Sequence, residues 1–141
     1  MIFWDTSCVI PLLVAEPTSS AVRGILDGDP SIVVWWTTPV ECLSAVARLE
    51  REGSLTAIDV DAIRVRLALL QDAWTEILPS EEVRSLAGRL LLRHPLRAVD
   101  SLQLGAALVW CRQRPDNRRF ITFDARLQAA ARAEGFSTAN G

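Results

Sequence analysis

Lysine is missing from this 141-residue chain: all fifteen basic residues are arginine, set against seventeen acids and one histidine. The formal net charge of −2 lacks the basic excess usual in nucleic-acid-binding domains, although clustered arginine is the better phosphate fork. The absence of lysine argues against a phosphoacceptor receiver domain, which contacts its phosphoryl group through one. It argues equally against a haloacid-dehalogenase-like phosphatase, which also needs D-x-D after its first strand, where this chain reads Asp5-Thr6-Ser7. Cysteine is scarce and scattered. Cys8, Cys42 and Cys111 form no C-x-x-C pair, which excludes a disulfide framework and a four-ligand structural zinc site and leaves three small buried thiols. Aromatics make up 6% of a chain that is half hydrophobic, which suits an aliphatic α/β core better than a β-sandwich. No apolar run approaches the roughly 20 residues of a membrane span. The start carries an acid at position 5 instead of the positive charge of a signal peptide, so the expectation is a soluble, cytoplasmic protein away from membranes.

What is present is organised around Met1-Ile2-Phe3-Trp4-Asp5-Thr6-Ser7: four apolar residues run into an acid and two hydroxyls. The run reads as a buried central strand with a helix starting at once, and an acid at such a strand end sits where open parallel sheets place their ligands. Ser31–Thr37, Trp74–Leu78 and Arg119–Thr122 read as further strands, and Phe136–Thr138 as a short edge strand. Helices are expected over Val9–Ala15, Ala21–Leu26, 38–52, 59–72, 80–93, 97–112 and 124–134, with breaks at Pro17, Gly28, Gly53, Pro79 and Gly135. Residues 112–119 form the longest polar interruption, a helix-to-strand loop. Strands alternating with single helices or helix pairs predict one domain over 1–141. Its architecture is an α/β, three-layer α/β/α sandwich on a mainly parallel sheet of four to five strands.

Four acids carry the chemistry, and each has a structural reading beside it. Asp5 caps the helix that follows; Glu41, three residues after Thr38, makes a capping box; Asp100 suits a helix first turn; Asp124 is a natural N-cap. Jointly they read differently, because Asp5, Glu41 and Asp124 all follow parallel strands and so share one sheet edge. Asp100 lies on a helix apolar nearly all round, on the face of Leu104, Ala107 and Cys111, where an unpaired carboxylate is costly. A shared cation is the economical partner. Oxygen ligands alone suit Mg²⁺ or Mn²⁺, as one ion or a pair, which would activate water and stabilise charge on a phosphodiester. Ser7 and Thr122 either cap or orient a metal-bound water, and His94 reads as a helix-end or turn residue. One histidine also argues against a two-histidine, metal-free ribonuclease. An inert RNA- or protein-binding module whose acids only cap helices is the non-enzymatic alternative.

These residues resemble the PIN domain family, and within it the VapC toxin ribonucleases of bacterial toxin–antitoxin pairs. The matching pieces are I-F-W-D-T-S at the start, Thr38-Pro39-Val40-Glu41, L-R-A-V-D-S-L-Q-L-G-A-A-L around Asp100 and F-I-T-F-D-A-R-L around Asp124. They occur in the expected order across nearly the whole chain. The resemblance implies a Mg²⁺- or Mn²⁺-dependent endoribonuclease with Asp5, Glu41, Asp100 and Asp124 as its acidic quartet. In that quartet Asp5 and Asp100 are the main metal ligands and Ser7 and Thr122 the helpers. It further implies a homodimer, an RNA substrate and a cognate antitoxin whose tail occupies the active-site groove. Water attacking phosphorus in line would leave a 5′-phosphate and a 3′-hydroxyl, with Arg118, Arg119 or Arg97 on substrate phosphates.

Overall fold

In the computed structural model of the chain, which describes residues 1–138, three layers stack as the element pattern predicts. The strands are β1 (Ile2–Trp4), β2 (Ile32–Trp35), β3 (Thr75–Ile77) and β4 (Arg119–Ile121). They form one sheet in the order β3-β2-β1-β4, and every pairing is parallel. Register is set by Ile2, which faces Ile32 on one side and Arg119 on the other. Phe136–Thr138 adds a single parallel bridge from Ser137 to Arg119 in place of a full fifth strand.

The strands are apolar without alternation because both faces are covered. Ile2, Trp4, Ile32, Val34 and Ile121 point into one core and Phe3, Val33, Trp35 and Phe120 into the other, the period-2 alternation of an extended chain. The first core is closed by α1 (Thr6–Leu13), α2 (Ser19–Gly28), α3 (Thr38–Arg51) and α4 (Ala57–Ala73). The second is closed by α5 (Glu81–Arg93), α6 (Ala98–Trp110) and α7 (Ala125–Glu134). The chain therefore leaves β1 towards one face and β4, its neighbour, towards the other. Such a topological switch point opens a crevice at the carboxyl ends of the two strands.

Local chemistry moves several boundaries. α1 begins at Thr6, at once after the first strand as the Asp5 cap implies and ahead of the Val9–Ala15 span, because the Asp5 carboxylate accepts from the Ser7 amide; it ends at Leu13. The expected capping box at Thr38 and Glu41 does not form: the residue before α3 is Thr37, and it makes no side-chain cap bond. A capping box does stand at Thr56 and Asp59, opening α4 two residues early. α6 stops at Trp110 because Arg112 and Gln113 turn left-handed, with φ of 54° and 58°. α5 and α6 approach closely at Gly105, where an added Cβ would lie 3.1 Å from the Val83 carbonyl oxygen.

Candidate active site at the switch point

Asp5 is the deepest charge in the crevice, 6% exposed, and its backbone amide extends the sheet ladder to the Ile121 carbonyl at 3.0 Å. That bond fixes the carboxylate beside the residue that follows β4, Thr122. The Thr122 hydroxyl donates to Asp5 Oδ2 at 2.8 Å, the Ser7 hydroxyl at 2.6 Å and the Ser7 amide at 3.3 Å. Both hydroxyls are themselves held as acceptors: Ser7 Oγ takes the Phe123 amide and Thr122 Oγ1 takes the Asp124 amide, each at 3.0 Å. With both hydroxyl hydrogens directed at Asp5, the 3.2 Å separation between Ser7 Oγ and Thr122 Oγ1 is a contact between acceptors. The ends of β1 and β4 are thus stitched through one carboxylate oxygen, and Oδ1 carries none of these bonds.

Burial pushes the Asp5 carboxyl above its ordinary range; the donors on Oδ2 pull the other way, and the Asp100 charge adds to the rise. Such an environment favours a carboxylate only if positive charge arrives. Asp100, on the first turn of α6, and Asp124, which caps α7 by accepting from the Leu127 amide at 2.9 Å, lie in the same electrostatic neighbourhood. The cation that reaches them is Arg97. Its Nε donates to Asp100 Oδ2 at 3.2 Å, and Asp100, Asp124 and Asp5 together hold its guanidinium proton more tightly. Arg97, expected on substrate phosphate, pairs here with Asp100 and is a counter-charge to the acids.

Glu41, on the first turn of α3, is held by a second network. The Thr37 hydroxyl donates to its Oε2 at 2.7 Å, and Gln103 Nε2 approaches the same oxygen at 3.3 Å. Gln103 Nε2 also donates to Thr6 Oγ1 at 3.0 Å, so this buried amide links Glu41 to the turn after Asp5. Sequence reasoning passed over Gln103, although its place three residues after Asp100 puts both on one helix face. Its Oε1 is buried without a hydrogen-bond partner among the described residues. Cys8 and Cys42 lie behind the acids, their thiols pushed up to about 12 by burial and by Asp5 and, for Cys42, Glu41 as well. They are packing groups, as their scatter in the sequence indicated.

The structure therefore gathers Asp5, Ser7, Thr122, Asp124, Asp100 and Glu41 at one sheet edge. Arg118 and Arg119 are not among them. Arg119 opens β4, at the edge where Ile2 and Ile32 open their strands, and Trp110, over which Arg118 lies, ends the helix whose first turn carries Asp100. Ten residues of helix separate those ends by about 15 Å.

Among the described residues no three acids, thiols or imidazoles are drawn close enough to hold a metal ion in this arrangement. The donor set nonetheless fits a hard divalent cation. It offers carboxylate oxygens without soft ligands, a buried carboxylate held on one oxygen only and, on the amide that donates to Thr6 and Glu41, an oxygen without a partner among the described residues. Asp5 and Asp100 would hold such an ion, with Glu41 and Asp124 completing or orienting its shell.

A family profile described as PIN domain matches residues 2–133. No curated protein matches the sequence significantly. Among solved structures, the chain is similar to one in a toxin–antitoxin complex from Klebsiella pneumoniae, at 18% identity and a TM-score of 0.63, covering 92% of this chain and 91% of that one. It is similar also to Mycobacterium tuberculosis VapC20, described as a sarcin–ricin loop cleaving toxin. There the identity is 20% and the TM-score 0.63, with 97% of each chain covered. At these identities the two structures share the fold with this chain.

Proposed function

The chain belongs to the PIN domain family, and from that membership we propose that it is a divalent-metal-dependent endoribonuclease, the toxin of a VapBC-type toxin–antitoxin pair. The observation that carries the reading is Asp5: a carboxylate nearly sealed from water, held by three donors on one oxygen, with Asp100 and Asp124 close enough to couple to the same guanidinium. A cap alone needs no burial and no second hydroxyl. A Mg²⁺ or Mn²⁺ bound there would acidify a water and stabilise charge on a phosphodiester.

The chain's own residues prepare the site. Ser7 and Thr122 fix the rotation of the Asp5 carboxylate, so its orientation does not depend on the ligand. Thr37 and Gln103 do the same for Glu41. Arg97, mostly exposed, neutralises Asp100 in a geometry that a flexible side chain can leave when substrate or cation arrives. RNA is the substrate class, and by the same reading an antitoxin occupies the crevice and a second copy of the chain completes a homodimer. Among the described residues no helix is long and apolar enough to cross a membrane.

Incubating the purified protein with structured RNA, with and without EDTA, tests the activity. Cleavage requiring Mg²⁺ or Mn²⁺ is expected, and cleavage that survives the chelator sinks the metal-dependent mechanism. The inert-module reading has its own support, since Asp5 and Asp124 do cap helices. Calorimetry decides: Mn²⁺ that binds wild type and fails to bind Asp100→Asn supports the nuclease, and absence of binding to wild type supports the module.

A further inference from the structure

The edge of the sheet opposite the acids carries a feature that the nuclease reading leaves unused. The α6–β4 loop surrounds a cavity of about 680 Å³ lined by Trp110, Cys111, Arg112, Arg114, Asp116 and Arg118. Three guanidiniums face one carboxylate there, in a chain whose net charge is −2. Arg112, Arg114 and Arg118 are exposed, and none makes an ion pair among the described residues. This differs from Arg48, Arg84, Arg93 and Arg97, each of which has an acidic partner. The Arg118 guanidinium lies over the Trp110 ring, 5.3 Å from its centroid, and the ring itself is only half-buried against Phe3. The loop is also fixed. Arg112, Gln113 and Asn117 all hold left-handed φ, and backbone bonds from Arg112 to Val109, Gln113 to Leu108, Arg114 to Cys111 and Arg118 to Pro115 close successive turns.

We propose that this pocket is a docking site for the RNA backbone, separate from the acidic crevice and at the far end of α6 from it. Uncompensated arginines supply phosphate forks, and an arginine-topped tryptophan supplies a stacking surface for an unpaired base. An acidic peptide would use the charges but not the ring, so RNA is the better fit. The two sites lie about 15 Å apart along the helix, so an RNA that reaches both must be folded or several nucleotides long. The choice of RNA over other polyanions rests on the nuclease reading.

The test is fluorescence anisotropy of a labelled structured RNA with the full-length protein in EDTA, over a salt series, so that binding is read without cleavage. For Arg112→Gln/Arg114→Gln the expected result is binding weakened about tenfold. The slope of log affinity against log salt should fall by about 1.4 to 1.8, the loss of two phosphate contacts. Arg118→Gln alone, which keeps the strained turn intact, should weaken binding several-fold. Wild-type affinity and slope in both variants, each shown folded by circular dichroism, would overturn the site. So would an oligoglutamate peptide that binds wild type more tightly than RNA and loses its binding in the variants. A protein that binds RNA through these arginines yet never cleaves it overturns the nuclease and leaves this site standing; one that cleaves RNA with binding unchanged in the variants does the reverse.

Discussion

Replacing Asp5 with asparagine should stabilise the metal-free protein while removing its metal binding. Asp5 is a buried carboxylate whose proton is held more tightly in the fold than in the unfolded chain, chiefly by desolvation. Between the ordinary carboxylate value, near 3.8, and the raised folded value, the folded state binds the extra proton, so stability falls as pH rises across that window. Above the folded value the penalty is carried in full. Each unit of elevation corresponds to about 1.4 kcal/mol, or about 5 °C of melting temperature for a domain of this size. Asparagine keeps an oxygen to accept from Ser7 and Thr122 and remains a good helix cap, while its amide can donate towards the neighbouring acids. Against the gain stands the loss of charge-assisted hydrogen bonds, which are roughly twice as strong as neutral ones. Desolvation outranks those bonds at Asp5, so the gain should prevail. Thermal melts in EDTA at pH 4 and pH 8 should show the variant close to wild type at the lower pH and above it at the higher. Adding Mn²⁺ at a hundred times its dissociation constant should raise wild type by about 2.7 kcal/mol and leave the variant unmoved. A variant that melts below wild type at pH 8, with no gap that grows with pH, would refute the account of Asp5 as a strained, cation-seeking charge.

Arg97→Met should tighten Mn²⁺ binding a few-fold, since an exposed guanidinium competing for Asp100 is removed; calorimetry showing unchanged or weaker binding would remove Arg97 as counter-charge. Gly105→Ala should destabilise by about 1–3 kcal/mol in urea melts, because the new methyl meets the α5 backbone at 3.1 and 3.2 Å; an unchanged midpoint would mean α5 can shift freely. Cys8 and Cys42, with thiols pushed up to about 12, should resist alkylation at pH 8 until the protein is denatured; rapid labelling of either in the native protein would contradict their burial.

The site was legible where chemistry coincides with topology. A strand buried on both faces has an apolar sequence, and parallel strands put their carboxyl ends on one side, so Asp5, Glu41 and Asp124 could be assigned to a common edge before any coordinates. The same logic, applied in the other direction, places Arg118 and Arg119 away from it. They lie six and five residues before Asp124 in sequence, but Arg119 opens β4 and Arg118 precedes it, a strand's length from the end that carries the acids. One-residue ambiguities were beyond local spacing: Thr37 and Thr38 are equivalent in the text of the sequence, and only the backbone turn decides that Thr37 bonds Glu41. Arg97 and Gln103 share a single lesson. Each is three residues from Asp100, one on either side, and that spacing identifies neighbours on a helix without saying whether they pair, bridge or face solvent.

The position of β1 also governs when the site comes into being during synthesis. Its partner β2 is made within the first 35 residues, but its other neighbour, β4, lies 115 positions and more along the chain. The Thr122 hydroxyl that orients Asp5 is 117 residues away, and the cap of α7 comes two residues later. At synthesis rates of about 5–20 residues per second, Asp5 emerges roughly 6 to 23 seconds before the groups that fix it. A nascent chain can thus assemble the β2–β1 half of the sheet and the helices over it while the acids remain unregistered. The order of the strands leaves Asp5 without its orienting hydroxyl until β4 has been made, so the central strand waits on a neighbour synthesised long after it.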